Sequence, residues 1–327
     1  LFVNFSGAVE AASSVQGSFF YPSIDAAWQF TRLPGLSGNN LLSFGKLRAS
    51  WGQVGVQPQP HRFETLAEGG FTYTSYSDPL DISLFGGGFR VDDDKGNPDL
   101  VPEVKTEWEI GTDLRFFRNR LGLTLTYYQN QIDDLLFEVT TAASTGFLSE
   151  YTNAGRMENR GFEAEIDYGI IQKKDFTLNF YANANRNRNE VLDLKGTESV
   201  NLTPGGSISS RAVVGQALGI LWANRAERDA NGNMVLDDRG FPQLASTQGI
   251  VGDPNPEWRG GAGVRASFKG FNFNVLFEHS QGGEFAERTR FILRNFGTHE
   301  DVGNEVTLTE DLVNYAGETF TAGSTLR

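Results

Sequence analysis

Apolar and polar side chains alternate one for one along much of this chain. In residues 106–116 the even positions hold Trp108, Ile110, Thr112, Leu114 and Phe116, while Glu107, Glu109, Asp113 and Arg115 fill odd ones. Successive side chains of a strand point to opposite faces, so this segment has one oily face and one ionic face. Residues 162–170 repeat the pattern, with Phe162, Ala164, Ile166, Tyr168 and Ile170 set against Glu163, Glu165 and Asp167. Residues 176–184 set Phe176, Leu178, Phe180 and Ala182 against Thr177, Asn179, Tyr181 and Asn183. The same period runs through 121–130, 262–269 and 271–278, and more weakly through 1–11, 20–30 and 44–54. The pattern predicts nine strands, each about ten residues long.

Connections between these strands fall into two alternating classes. Turns at 117–120, 172–175 and 269–270 are short, whereas 55–105, 134–158 and 193–258 are long. Transmembrane barrels segregate their connections in this way, with short periplasmic turns and long extracellular loops. A half-buried soluble sheet shows the same alternation of faces, so alternation alone does not choose between them. Strand length and loop asymmetry do. Strands of about nine to eleven residues tilted near 45° match the hydrocarbon thickness, and globular strands average about five or six. A bilayer core offers no water to the backbone, so spanning strands must pair all round. The predicted fold is therefore all-β, the wall of an antiparallel up-and-down transmembrane β-barrel. Single-chain bacterial barrels have even strand numbers; nine strands make an incomplete wall, and 282–327 reads as a long loop without a returning strand.

Composition narrows the function. Every apolar stretch is interrupted after a few positions, so no spanning helix of about 20 apolar residues is predicted. The absence of Cys removes disulfide frameworks and thiolate metal sites. A formal net charge of -13 argues against a nucleic-acid partner, since phosphate contact needs clustered Lys and Arg. No charged segment followed by an apolar run opens the chain; residue 1 reads as an interior cut, with any signal peptide outside this sequence.

Several motifs resemble those of a known family. Asn97-Pro98-Asp99-Leu100-Val101-Pro102-Glu103, followed by Glu107-Trp108-Glu109-Ile110-Gly111, resembles a loop-to-strand junction of TonB-dependent receptors, and Asn159-Arg160-Gly161-Phe162-Glu163 is similarly widespread among them. Lys46-Leu47-Arg48-Ala49-Ser50-Trp51-Gly52-Gln53 is similar to the SusC/RagA branch. So are Ser144-Thr145-Gly146-Phe147 with Asn153-Ala154-Gly155, Val214-Gly215-Gln216-Ala217-Leu218-Gly219 and Gly252-Asp253-Pro254-Asn255-Pro256-Glu257-Trp258. Order and spacing agree across about residues 46–258. The resemblance implies a barrel of about 22 strands, of which residues 1–327 are part of the wall, with an N-terminal plug, a TonB-contacting segment and the closing strands outside this chain. It also implies an outer membrane of a Gram-negative bacterium of the Bacteroidota type, energy from a TonB-ExbB-ExbD complex, and a SusD-like surface lipoprotein over the extracellular mouth. The expected cargo is an oligosaccharide or, in other members, a peptide. A passive porin-type channel and a secreted β-rich adhesin or binding module are the competing readings.

No catalytic constellation is legible, and the chain reads as a non-enzyme. His61, His279 and His299 are scattered and none lies in a nucleophile motif. Glu107 with Glu109, or Glu163 with Glu165, share a strand face, but a glycosidase pair also needs a cleft and a raised pKa. Their simpler reading is a hydrated wall, so Glu107, Glu109, Asp113, Arg115, Glu163, Glu165, Asp167, Asn179 and Asn183 are lumen candidates. Phe71, Tyr73, Tyr76, Phe85, Phe89, Phe147 and Tyr151 are candidates for ligand or partner contact in extracellular loops, since aromatic faces suit sugar rings and apolar peptide side chains alike. No cofactor is expected. Asp229, Asn231, Asn233 and Asp237 place oxygens at alternate positions as calcium loops do, but Met234 and Gly240 stand where an EF-hand wants Gly and Glu, and Asn-Gly more often marks a hairpin turn. Asp92, Asp93 and Asp94 read as solvated loop charge.

Overall fold

A computed structural model describes residues 1–69, 89–203, 207–237, 242–314 and 317–326. Nine strands form one continuous antiparallel meander: β1 (Phe2–Glu10), β2 (Phe19–Trp28), β3 (Leu42–Val56), β4 (Glu103–Phe116), β5 (Leu121–Thr140), β6 (Ser149–Lys173), β7 (Phe176–Asp193), β8 (Pro256–Phe268) and β9 (Phe271–Gly282). Each pairs with its neighbours in chain order. All nine strands expected from the alternation are present in that order. Their lengths differ from expectation: β5, β6 and β7 run to 20, 25 and 18 residues. Residues 134–158, expected as a long loop, are mostly strand, and only 141–148 connect β5 to β6.

Register follows from the pattern. Glu109 lies opposite Tyr128, Thr124 opposite both Asp113 and Glu165, and Asn183 opposite Glu165. One polar face therefore continues across strands, because a period of two keeps each set together once a single pair is aligned. Near the far end the period is broken by bulges between Asp133 and Leu135 and between Leu135 and Leu136. Asp134 takes a left-handed φ of 58° there, and the Leu136 N–H donates to the Glu103 carboxylate at 2.8 Å. The side chain thus satisfies a donor near the interrupted ladder.

Around the bulges and beyond them, β5–β7 build a core of a different kind. Leu135, Phe137, Ala154, Met157, Val191, Leu194, Val200 and Ala212 are buried together. The chain at 212–218 returns to cover them: the Gly215 N–H donates to the Val191 carbonyl at 2.8 Å, and the Leu218 N–H donates to Asn189 Oδ1 at 2.6 Å.

The strands, with 1–202, 212–218 and 256–282, make one compact unit. A second unit comprises 203–211, 219–255 and 283–327. Within it, Ile208 to Arg211 pair with Ala223 to Ile220, and Ile220–Ala223 pairs with Gly249–Gly252. Leu236, Leu308 and Leu312 are buried, with Met234 and Phe320 against them, and helix α1 (Arg288–Asn295) follows the last wall strand. Parts of 193–258 and 282–327, expected as loops, thus carry short strands and one helix.

Candidate functional site

Nine sequence-predicted polar residues, Glu107, Glu109, Asp113, Arg115, Glu163, Glu165, Asp167, Asn179 and Asn183, all fall on one face of the wall, as the pairings place them. Alternation puts them there, and partners on neighbouring strands or, for Glu107, on its own strand hold them. Lys46 pairs with Asp113 at 2.5 Å, Arg48 with Glu109, and Lys105 with Glu107 at 2.6 Å. Arg48 also donates to the Thr126 hydroxyl. From Glu107 a chain of amides crosses three further strands: Asn130 Nδ2 donates to Glu107 at 3.0 Å, Asn159 to Asn130 at 2.9 Å and Asn187 to Asn159 at 3.4 Å. The Tyr128 hydroxyl donates to Asn187 at 3.1 Å. Further along, the Tyr181 hydroxyl donates to Asn274 at 2.9 Å, and the Arg265 guanidinium lies 4.0 Å from the Tyr181 ring centroid. Asn183 Oδ1 accepts from the Gly261 N–H at 3.1 Å.

Two glycines let the tyrosines lie flat on this face. A Cβ at Gly161 would run into the Tyr128 ring, and one at Gly263 into Tyr181; such close approach is a use of glycine in strands. A trough of about 600 Å³ follows, lined by Lys46, Asp113, Arg115, Glu165, Asp167 and Arg265 among others. Sequence reasoning missed Lys46, Arg48, Lys105, Tyr128, Asn130, Asn159, Tyr181, Asn187 and Arg265. Extending the parity rule from 107 and 163 onto neighbouring strands would have found most of them once the register was known.

The other face is apolar and open. Phe271, Phe273 and Phe277 are 81%, 61% and 75% exposed, and Phe5, Trp51, Ile110, Phe162 and Phe268 are exposed as well. So many uncovered large apolar side chains on one face mark a surface that does not meet water.

The loop aromatics divide. Phe71, Tyr73, Tyr76 and Phe85 lie outside the described residues. Phe89 opens a short strand, Phe89–Val91, that pairs with Ala67–Gly69. Phe147 is half-buried in the turn between β5 and β6, and Tyr151 stands in β6 itself with the Arg62 guanidinium 5.5 Å from its ring centroid. Around them two of the quoted motifs meet. Asn153 Nδ2 donates to the Val101 carbonyl at 2.8 Å and the Val101 N–H donates back to Asn153 Oδ1 at 3.0 Å, while Asn97 Nδ2 donates to the Tyr151 carbonyl at 3.2 Å. The acidic run joins the same junction. Asp94 accepts from the Ser149 hydroxyl and from Arg62 at 2.7 Å, which holds its carboxyl below the usual carboxylate range. The Asp93 carbonyl accepts from the Leu148 N–H at 2.8 Å, so this run ties 89–102 to the β5–β6 turn, more than the solvated charge expected of it.

In the second unit Asp229 closes a turn. Its carboxylate accepts from the N–H groups of Asn233 at 2.9 Å and Asn231 at 2.8 Å, and these bonds, that of Asn233 foremost, lower its pKa.

Comparison with known proteins agrees with this architecture. A family model described as TonB dependent receptor-like, beta-barrel matches residues 2–307. TonB-dependent receptor P3 of Formosa agariphila is 27% identical over 294 residues, covering 83% of this chain and 29% of that protein. TonB-dependent receptor SusC of Bacteroides thetaiotaomicron is 28% identical over 286 residues, covering 80% of this chain and 27% of that protein. The chain thus spans less than a third of the length of these relatives. Among solved structures, the RagAB peptide importer in its closed-closed state matches with a TM-score of 0.68 at 23% identity, over 86% of this chain and 32% of that one; at this identity the likeness is one of fold. Face-segregated alternation, an uninterrupted meander and a family match over nearly the whole chain converge: the chain belongs to the TonB-dependent receptor-like β-barrel family.

Proposed function

We propose that this chain supplies part of the wall and several extracellular loops of a TonB-energised importer in the outer membrane of a Gram-negative bacterium of the Bacteroidota type. Its cargo is an oligomeric nutrient, an oligosaccharide in the first instance and a peptide as the alternative, received with a SusD-like surface lipoprotein. The observation that carries this reading is the segregation of the two faces. A ladder of charged and amide side chains crosses β3 to β7 on one face, and exposed phenylalanines occupy the other. A hydrated lumen and a hydrocarbon exterior account for both, and a soluble sheet accounts for only one. Amides and carboxylates with spare acceptors suit the hydroxyls of a neutral sugar, and the RagAB peptide importer is similar in fold. The carboxylates at Glu163 and Glu165 are wall charges with no hydrolytic step assigned to them, and Phe147 and Tyr151 belong to the ligand- or partner-facing end.

Uptake of labelled oligosaccharides and peptides by cells making the complete protein, with and without functional TonB, tests this. Oligosaccharide uptake that stops without TonB is expected. TonB-independent uptake would establish a passive channel instead, and uptake of peptides alone would move the cargo to that class.

A further inference from the structure

The two ends of the wall carry opposite charge. Although the chain holds 41 Asp and Glu against 28 Lys and Arg, its tight turns are basic. Residues 117–120, 173–175 and 269–270 contain Arg118, Arg120, Lys173, Lys174 and Lys269 and a single acid, Asp175. The far portions of β5–β7, at 131–140, 149–158 and 186–193, hold seven acids and three cations.

These turns are neighbours. The Lys269 N–H donates to the Asp175 carbonyl at 3.1 Å, and the Gly169 N–H donates to the Arg120 carbonyl at 2.7 Å. Directly against them, on the apolar face, runs an aromatic row. Phe176 pairs with Phe268, which pairs with Phe271, and the Phe176 and Phe268 rings meet edge to face at 6.2 Å. Lys173 lies opposite Phe176 in the register, and the Lys269 ammonium stands 5.4 Å from the Phe268 ring centroid. Lys173, Lys174 and Lys269 are exposed, and none of the three forms an ion pair among the described residues. The arginines are differently engaged: Arg120 donates to the carbonyls of Gly169 and Ile170, and Arg118 to Asn40.

An aromatic row ending in free ammonium groups is the profile of a hydrocarbon boundary followed by headgroups, since aromatic rings sit at the interface and lysine stems reach beyond it to the phosphates. Building on the membrane reading above, we propose that the tight-turn end of this wall is a binding collar for acidic phospholipid of the inner leaflet, with headgroup phosphates held by Lys173, Lys174 and Lys269. Continuity with the apolar face favours lipid over a soluble anion, because the same surface supplies both the acyl contact and the charge.

The test uses the complete protein reconstituted into vesicles of equal parts phosphatidylcholine and phosphatidylglycerol, extracted gently, with bound lipid counted by native mass spectrometry. Phosphatidylglycerol is expected to be enriched roughly tenfold over phosphatidylcholine. The Lys173→Gln/Lys174→Gln/Lys269→Gln variant should fold into the same vesicles and fall to near parity, and Arg186→Gln/Arg188→Gln, at the far end, should keep the enrichment. Parity in the unmodified protein, or equal loss in both variants, overturns the collar. Displacement of the lipid by inorganic phosphate beyond a chloride control of matched ionic strength marks a free-anion site and overturns the lipid assignment. A complete protein that inserts into no vesicle overturns the membrane reading itself.

Discussion

Strands β5, β6 and β7 are built in two ways along their own length. Near the tight turns their apolar side chains, such as Phe162, Tyr168 and Ile170, face outward and stay exposed. Cohesion there comes from the hydrogen-bond ladder and from polar pairs on the opposite face. Around the bulges at Asp133 to Leu136 and beyond them the same strands bury Leu135, Phe137, Met157 and Val191 with Leu194 and Ala212, as a protein does in water. The near portion needs a bilayer to cover its oily face, whereas the far portion carries its own cover. On β5 the bulges mark the change, since an extra residue turns the side chains that follow, Leu135 first, from one face to the other.

The largest effect that would break this contrast is expected at Leu194, which is 1% exposed. Truncation of a packed leucine loses its transfer energy and leaves a cavity, about 2–5 kcal/mol. Leu194→Ala should speed proteolytic cutting within 141–148 and 195–218 while the barrel still assembles in outer membranes. Loss of assembly without new cutting would show that near and far portions form one cooperative unit.

Next in size is the near portion, at the adjacent residues Ile166 and Glu165. An arginine on a lipid-facing strand position near mid-depth costs about 2–4 kcal/mol, so Ile166→Arg should reduce the yield of folded barrel and Glu165→Arg should fold nearly as the parent does. The chain has no native Cys, which allows single-cysteine probes. A water-soluble thiol reagent should label position 165 and a lipid-soluble one position 166; equal aqueous labelling at both would dismiss the assignment of faces.

The smallest effect lies at the far junction and depends on pH. Hydrogen bonds from Ser149 and Arg62 hold the folded-state pKa of Asp94 below the usual carboxylate range. A depressed carboxylate contributes stability that is present above the unfolded pKa and is lost as pH falls through the folded one. Hydrogen exchange of 89–102 should therefore stay slow at neutral pH and rise only as pH drops below about 4, and Asp94→Asn should remove that acid step. An acid step that persists in Asp94→Asn would assign it to another group.

Legibility in the sequence follows the same division. Near the turns the apolar set is large and strictly alternating, as in 106–116, and the predicted strand and its face agree with the structure. In 131–140 two bulges interrupt the period, and in 185–189 Asn and Arg occupy both faces, so no alternation marks those strand extensions. The polar residues on the strands near 107 and 163 were visible for the same reason that the near strands were. Their partners Lys46, Asn130 and Asn187 were not, because an ion pair such as Lys46 with Asp113 joins positions far apart in the chain.

Which side chains share a face of a near strand is a covalent property, since the alternation of successive Cβ atoms is set by the extended backbone alone. The chain by itself therefore determined the two faces, the tight turns and the order of nine strands. Register is a different quantity. It is decided by which N–H meets which carbonyl on another strand, and shifting it by one residue exchanges the faces of the whole partner. Only the tertiary structure could place Asn130 beside Glu107, lay Tyr128 over Gly161, and turn the far ends of β5–β7 inward around Val191, because each depends on pairing and on bulges between segments separated by loops.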